Sequence, residues 1–148
     1  METLRYQIEI DAPAEKVWDV LWNDKTYSQW THYFSPGSLM KTDWEVGGKT
    51  YFTDASGQNG MVSTIERFEE PKHLIFKHLG ELNDGVEDVD SEKVKAWNGS
   101  LEAYYLENHN GKTTLKVEVD VDNSYKDMMD EGFNKGLEVV KNLSEKLI

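Results

Sequence analysis

The stretch that most constrains this chain is its C-terminal one, residues 124–147, where apolar side chains recur at helical spacing. On a wheel of 3.6 residues per turn centred on residue 129, Tyr125, Met129, Phe133, Val140, Leu143 and Leu147 fall on one side. Asp127, Glu131, Lys135, Glu138, Lys141 and Glu145 fall on the other. Ser124 followed by Asp127 gives a capping-box-like start, and Lys141 and Lys146 suit the negative end of the helix dipole. A long amphipathic helix of this kind must lie on a broad apolar surface. Gly132 and Gly136 sit on its apolar face, where each costs roughly 1 kcal/mol of helix propensity relative to Ala. Two readings stay open: a neighbouring element packs very close there, or the missing side chains leave an internal pocket for a small apolar ligand.

The surface for that helix comes from the strands upstream. Leu4, Tyr6, Ile8 and Ile10 alternate with Thr3, Arg5, Gln7 and Glu9, the period of a strand with one wet face and one core face. Pro13 and Glu15 then start a short helix to about residue 22, with Ala14, Val17, Trp18, Leu21 and Trp22 as its stripe. Asp24 can cap a second, from about 25 to 31, that points Tyr27 and Trp30 the same way. From residue 38 to 121 the pattern is all strand, broken at Gly47-Gly48, at the glycines from 57 to 60, at Pro71 and at Asn110-Gly111, a strong two-residue hairpin signal. The count predicts seven strands, two short helices after the first and a long helix last: an α+β, helix-grip domain spanning 1–148. Its curved antiparallel sheet wraps around the C-terminal helix.

Composition narrows the function. The 148 residues suffice for one core, and five Trp, seven Tyr and five Phe fill it amply. With no Cys, disulfides and thiol chemistry are out. A net charge of -12 repels phosphate backbones and anionic lipid, so neither nucleic acid nor membrane is expected as a partner. No charged-then-apolar leader or run near 18 apolar residues occurs, and a cytoplasmic protein is expected. Glu81, Asp84, Glu87, Asp88, Asp90 and Glu92 run with no base among them before Lys93 and read as a solvated, mobile loop, with a weak cation site or a partner-binding lid as the alternative.

Motifs for catalysis are sparse. No G-x-S-x-G elbow or phosphate-cradling glycine loop is present. His32, His73, His78 and His109 are scattered, so neither metal nor other cofactor is expected. His78 shares the parity of Leu74 and Phe76 and should point inward, as a hydrogen-bonded core histidine or as a pocket acid–base group. Arg67 shares parity with Met61, Ser63 and Ile65, and either faces inward or reaches an exposed carboxylate. Trp44, Phe76, Trp97, Leu101 and Tyr105, facing Met129 and Phe133, either line a mostly apolar cavity or fill a solid core.

The order of these elements resembles the activator-of-heat-shock-protein-90-ATPase homologue-like proteins of the START and birch-pollen-allergen-like (SRPBCC) superfamily. The resemblance covers nearly the whole chain. It rests on the residues from Ile10 through Pro13 to Trp18, on Trp44 to Gly48, on Gly60, Met61, Val62 and Ile65 leading to Glu70-Pro71 and Phe76, and on Gly132-Phe133. Two departures stand out: His78 occupies a position where family members often carry Trp, and the acidic insertion after Gly80 replaces a tight turn. Eukaryotic co-chaperones of the family carry a further N-terminal domain that this chain lacks, which weighs against their role.

The superfamily implies a cavity between sheet and last helix for lipid, polyketide-like or other apolar molecules. The leading expectation is therefore a monomeric or weakly dimeric protein that binds a small apolar molecule through Trp44, Met61, Phe76, His78, Trp97, Leu101, Tyr105, Met129, Gly132, Phe133 and Gly136. The alternatives are a stress-response protein docking a chaperone, and a cyclase- or dehydratase-like enzyme with His78 as its acid–base group.

Overall fold

Alternating apolar residues give strands that can bury only one face, and the helices are distributed to cover that face. The computed structural model describes residues 1–146, so Leu147 of the last helix's apolar stripe lies outside the described residues. Eight strands form one antiparallel sheet: β1 Glu2–Ile10, β2 Leu39–Thr42, β3 Lys49–Thr53, β4 Gly60–Glu69, β5 His73–Asn83, β6 Val86–Asp88, β7 Leu101–His109 and β8 Lys112–Val121. Their order is β1-β8-β7-β5-β4-β3-β2, with β6 beside the far end of β5. The helices are α1 Ala14–Trp22, α2 Asp24–Thr31, α3 Glu92–Lys95 and α4 Lys126–Glu145. The α+β helix-grip architecture expected from the sequence is the one observed.

The acidic run is where the count of seven strands fails. It is an ordered hairpin: Asp84 and Gly85, at φ 50° and 80°, make a two-residue turn between β5 and β6. Lys49 and Tyr51 on β3 hold Glu87 at 2.5 and 2.6 Å, and Ser91 caps α3, which buries Val94. Asp-Gly between strands is the same signal as Asn110-Gly111, masked here by the surrounding acids.

The ends of the helices differ from expectation in detail. Pro13 occupies the N-cap of α1. Asn23, one residue before Asp24, caps α2, its Oδ1 accepting from the Lys25 N–H at 3.0 Å. The Ser124–Asp127 capping box does not form, because Asp122 caps a 3-10 turn over Asn123–Tyr125 and takes both the Ser124 N–H and hydroxyl, at 2.9 and 2.8 Å. Tyr125 is consigned to that turn and exposed, and the buried stripe of α4 runs instead through Gly132, Phe133, Gly136, Leu137, Val140 and Ser144.

Inside the concave sheet lie the aromatic rings of α1 and α2. Trp22 packs on Phe76 of β5 and Tyr104 of β7 and Trp30 on Tyr104, with Trp18 and Tyr27 against Trp22, the Trp22 and Tyr104 rings meeting edge to face at 4.9 Å. α4 closes this layer from outside against α1, α2 and β1, with Phe133 stacked on Tyr6 at 4.8 Å.

Candidate functional site

Strand pairing assembles one buried polar cluster. Ser63 of β4 lies opposite His78 of β5, and Glu102 of β7 lies opposite Phe76, so the three side chains share the concave face. His78 is 5% exposed; its Nδ1 is 2.7 Å from Ser63 Oγ and its Nε2 3.1 Å from Glu102 Oε1. Tyr104, two residues along β7, donates its phenol to the other Glu102 oxygen. A carboxylate only accepts, so Nε2 carries a proton, and in the neutral ring Nδ1 accepts from the Ser63 hydroxyl. Both ring nitrogens are engaged and Ser63 is fully buried. The geometry matches the first of the two readings of His78, a hydrogen-bonded core histidine, and its burial keeps the cluster away from solvent.

The other expected site residues divide. Trp44, Phe76, Met129 and Phe133 pack on the core as expected. Trp44 does so from a loop, because β2 ends at Thr42; a left-handed φ of 60° turns its ring to Trp18 and Phe68. Met61 is half-buried across from Phe52, outside the contiguous core.

Trp97, Leu101 and Tyr105 are corrections. Trp97 lies in the turn after α3, and β7 begins only at Leu101 with the opposite parity: Glu102, Tyr104 and Leu106 face inward. Leu101, 39% exposed, and Tyr105 therefore lie on the outer face. Arg67 is turned outward by a bulge, since β4 spends two steps between Ile65 and Arg67 where β5 spends one, and Phe68 faces inward in its place.

Gly132 and Gly136 settle the question their spacing raised. A Cβ on Gly136 would stand 2.6 Å from the Trp30 carbonyl oxygen, and one on Gly132 would overlap the Phe34 ring. Close approach of α2 and the turn after it, not empty space, is what these glycines permit. Two open depressions mark the surface: about 350 Å³ beside Ala14, Pro71, Lys72 and Leu106, and about 310 Å³ between β1 and α4. None of the expected site residues lines either.

The family model for "Activator of Hsp90 ATPase homolog 1-like protein" matches residues 11–145. The chain belongs to this family. Among solved structures it is similar to the Aha1 dimer from Colwellia psychrerythraea, at TM-score 0.72 and 16% identity over 98% of this chain and 97% of that one. It is also similar to a protein from Arthrobacter aurescens (TM-score 0.68, 20% identity, 95% and 84% covered). DynU16, a protein of the dynemicin biosynthetic locus, has TM-score 0.67 and 16% identity over 96% of this chain and 46% of that one. At these identities the likeness shows the fold. No curated protein sequence matches. No helix among the described residues is long and apolar enough to cross a membrane.

In this member of the Activator of Hsp90 ATPase homolog 1-like family the buried tyrosines carry a pH signature. Burial, then the Glu102 carboxylate, pushes the Tyr104 phenol well above its ordinary 10.0, and the same causes raise Tyr27. A raised folded-state pKa contributes stability that is fully present below the unfolded value and is lost as pH climbs towards the folded one. Stability should therefore fall once pH exceeds about 10. Tyrosinate absorbance followed against pH should show Tyr27 and Tyr104 ionising only as the chain unfolds. Ionisation of all seven tyrosines in a still-folded chain would contradict this burial.

Proposed function

We propose that the chain works through its surface, docking a chaperone of the heat-shock-protein-90 type, rather than by enclosing a small molecule. The observation that carries this reading is the filled interior: the chain's own tryptophans occupy the concave face, and Trp30 and Phe34 occupy the glycine seats of α4. A concave face filled by the chain's own aromatic side chains leaves recognition to the exterior. The family's name supplies the class of partner.

The β5–β6 hairpin and its continuation form the docking element. Val86, 67% exposed, and Val89 stand among Glu81, Asp84, Glu87, Asp88 and Asp90. An apolar tip with an acidic rim fits a basic patch with an apolar centre, and the pairing should weaken with salt. Lys49 and Tyr51 hold Glu87, and the Ser91 N–H donates to Asp88, which orders the hairpin and lowers the entropy cost of docking.

One observation favours a second reading, an apolar ligand bearing a hydrogen-bond acceptor. The buried Trp22 Nε1–H has no acceptor among the described residues, at the centre of the aromatic cluster. A ligand carbonyl would satisfy it, at the cost of displacing packed rings.

A single preparation tests both. Wild-type chain should raise the ATPase turnover of a purified heat-shock-protein-90 chaperone at low salt. A Val86→Ser, Val89→Ser variant with unchanged circular dichroism should lose that effect. Absence of stimulation, together with an apolar mass retained in native mass spectrometry, would replace the first reading with the second.

A further inference from the structure

β1 is the longest edge strand in the fold: nine residues with no strand beyond them among the described residues, its Glu9 carbonyl held by Lys141 of α4. Which groups face outward follows from the β7–β8 hairpin. Its two-residue turn closes on His109 and Lys112, which bond each other, so Thr113 directs its N–H and C=O towards β1. Thr113 pairs with Ile10. By alternation Leu4, Tyr6, Ile8 and Ile10 bond β8, while Thr3, Arg5, Gln7 and Glu9 present their backbone groups outward. The Glu9 carbonyl accordingly accepts from Lys141 Nζ at 3.1 Å, outside the sheet. Such a row is a template for one more strand.

The side chains say which strand fits. Laid antiparallel on itself about a two-fold axis at Gln7, β1 sets Arg5 against Glu9 of the second copy, twice, and Gln7 against Gln7. All three present their backbone groups at the edge, so both sides of the new ladder can bond once the Glu9 carbonyl exchanges Lys141 for the incoming N–H. Slipping the register by one pair sets Arg5 against Gln7 or Gln7 against Glu9, and by two sets Arg5 against Arg5 or Glu9 against Glu9. Within the strand, only the register at Gln7 opposes unlike charges.

On the inner side that register brings Tyr6 against Ile8, both half-buried in the single chain. The open depression of about 310 Å³ lined by Tyr6, Ile8, Asn134 and Leu137 gives the incoming side chains room. Arg5 already bonds Glu118 of β8 at 3.0 Å, and its remaining guanidinium donors are free to bridge to the second copy's Glu9.

We infer that β1 joins two copies of this chain edge to edge, antiparallel and centred on Gln7, by ladder hydrogen bonds and a reciprocal Arg5–Glu9 pair. Sedimentation equilibrium of the full chain should show a monomer–dimer equilibrium. Arg5→Glu or Glu9→Arg alone should weaken dimerisation about tenfold, because each turns two attractive contacts into two repulsive ones. The double swap should restore it to within about threefold. Gln7→Pro should abolish the dimer with circular dichroism unchanged, since the N–H it removes faces away from β8. A chain that sediments as a monomer at every concentration overturns the inference. So does a dimer indifferent to the charge variants, or one that survives Gln7→Pro.

Discussion

Trp30→Ala should lower the unfolding free energy by about 4 kcal/mol, the largest loss expected from any single truncation in this chain. Trp30 is 2% exposed and meets the rings of Trp22, Tyr27 and Tyr104 at centroid distances of 6.3, 5.7 and 6.2 Å. Its indole N–H donates to the Leu21 carbonyl at 3.0 Å, so truncation both opens a void and orphans a buried acceptor. α4 rests on the same residue's backbone through Gly136, which limits how far the site can collapse. Trp30→Phe keeps most of the ring contact and loses the hydrogen bond, and should cost about half as much. Denaturant unfolding of the three proteins checks the series. A loss under about 1 kcal/mol for Trp30→Ala would mean that the interior yields easily, and would reopen the case for an enclosed ligand.

Gly136→Ala should destabilise by about 2 kcal/mol, although alanine favours a helix over glycine by about 1 kcal/mol. The new methyl would stand 2.6 Å from the Trp30 carbonyl oxygen and 3.3 Å from its Cε3. The first of these is backbone held inside α2, so α4 must move off α2. Gly132→Ala meets instead the Phe34 ring, a half-buried side chain after α2 that can swing aside. Propensity and crowding should nearly cancel there. Thermal unfolding of the two variants separates the cases, and equal effects would refute the claim that backbone contact is what glycine serves at position 136.

Much of the fold was legible because its signals are local. The alternation in β1 and β8, the stripes of α1 and α2 and the Asn110-Gly111 turn each lie within about ten residues and determine their own element. His78 was correctly placed inside because parity along one strand suffices. The parity of β7 is ambiguous in the sequence because both faces carry large apolar side chains, Leu101 and Tyr105 on one and Tyr104 and Leu106 on the other. The deciding signal was present at the hairpin. A two-residue turn at Asn110-Gly111 sets Tyr104 against Val117 and Leu106 against Leu115, and cross-strand partners share a face. Applied there, it would also have placed Glu102 inside with His78. The hairpin in the acidic run is hidden for a simpler reason: the surrounding acids mask the Asp84-Gly85 turn.

The sequence by itself determined the elements β1, α1, α2, β8 and the last helix, the apolar faces of β1, β8 and the short helices, that two glycines interrupt the seam of the last helix, and which family the chain resembles. Only the tertiary structure decided what meets those glycines. Spacing along a helix reports a missing side chain but not the object opposite it, and the Trp30 carbonyl and Phe34 arrive from α2 and its turn, about a hundred residues earlier in the chain. The same holds for the Ser63–His78–Glu102 relay, which draws on three strands whose order in the sheet no local pattern states. Register and neighbour identity are long-range facts, set by how whole faces pack, and they decide which side chains meet between the sheet and the last helix.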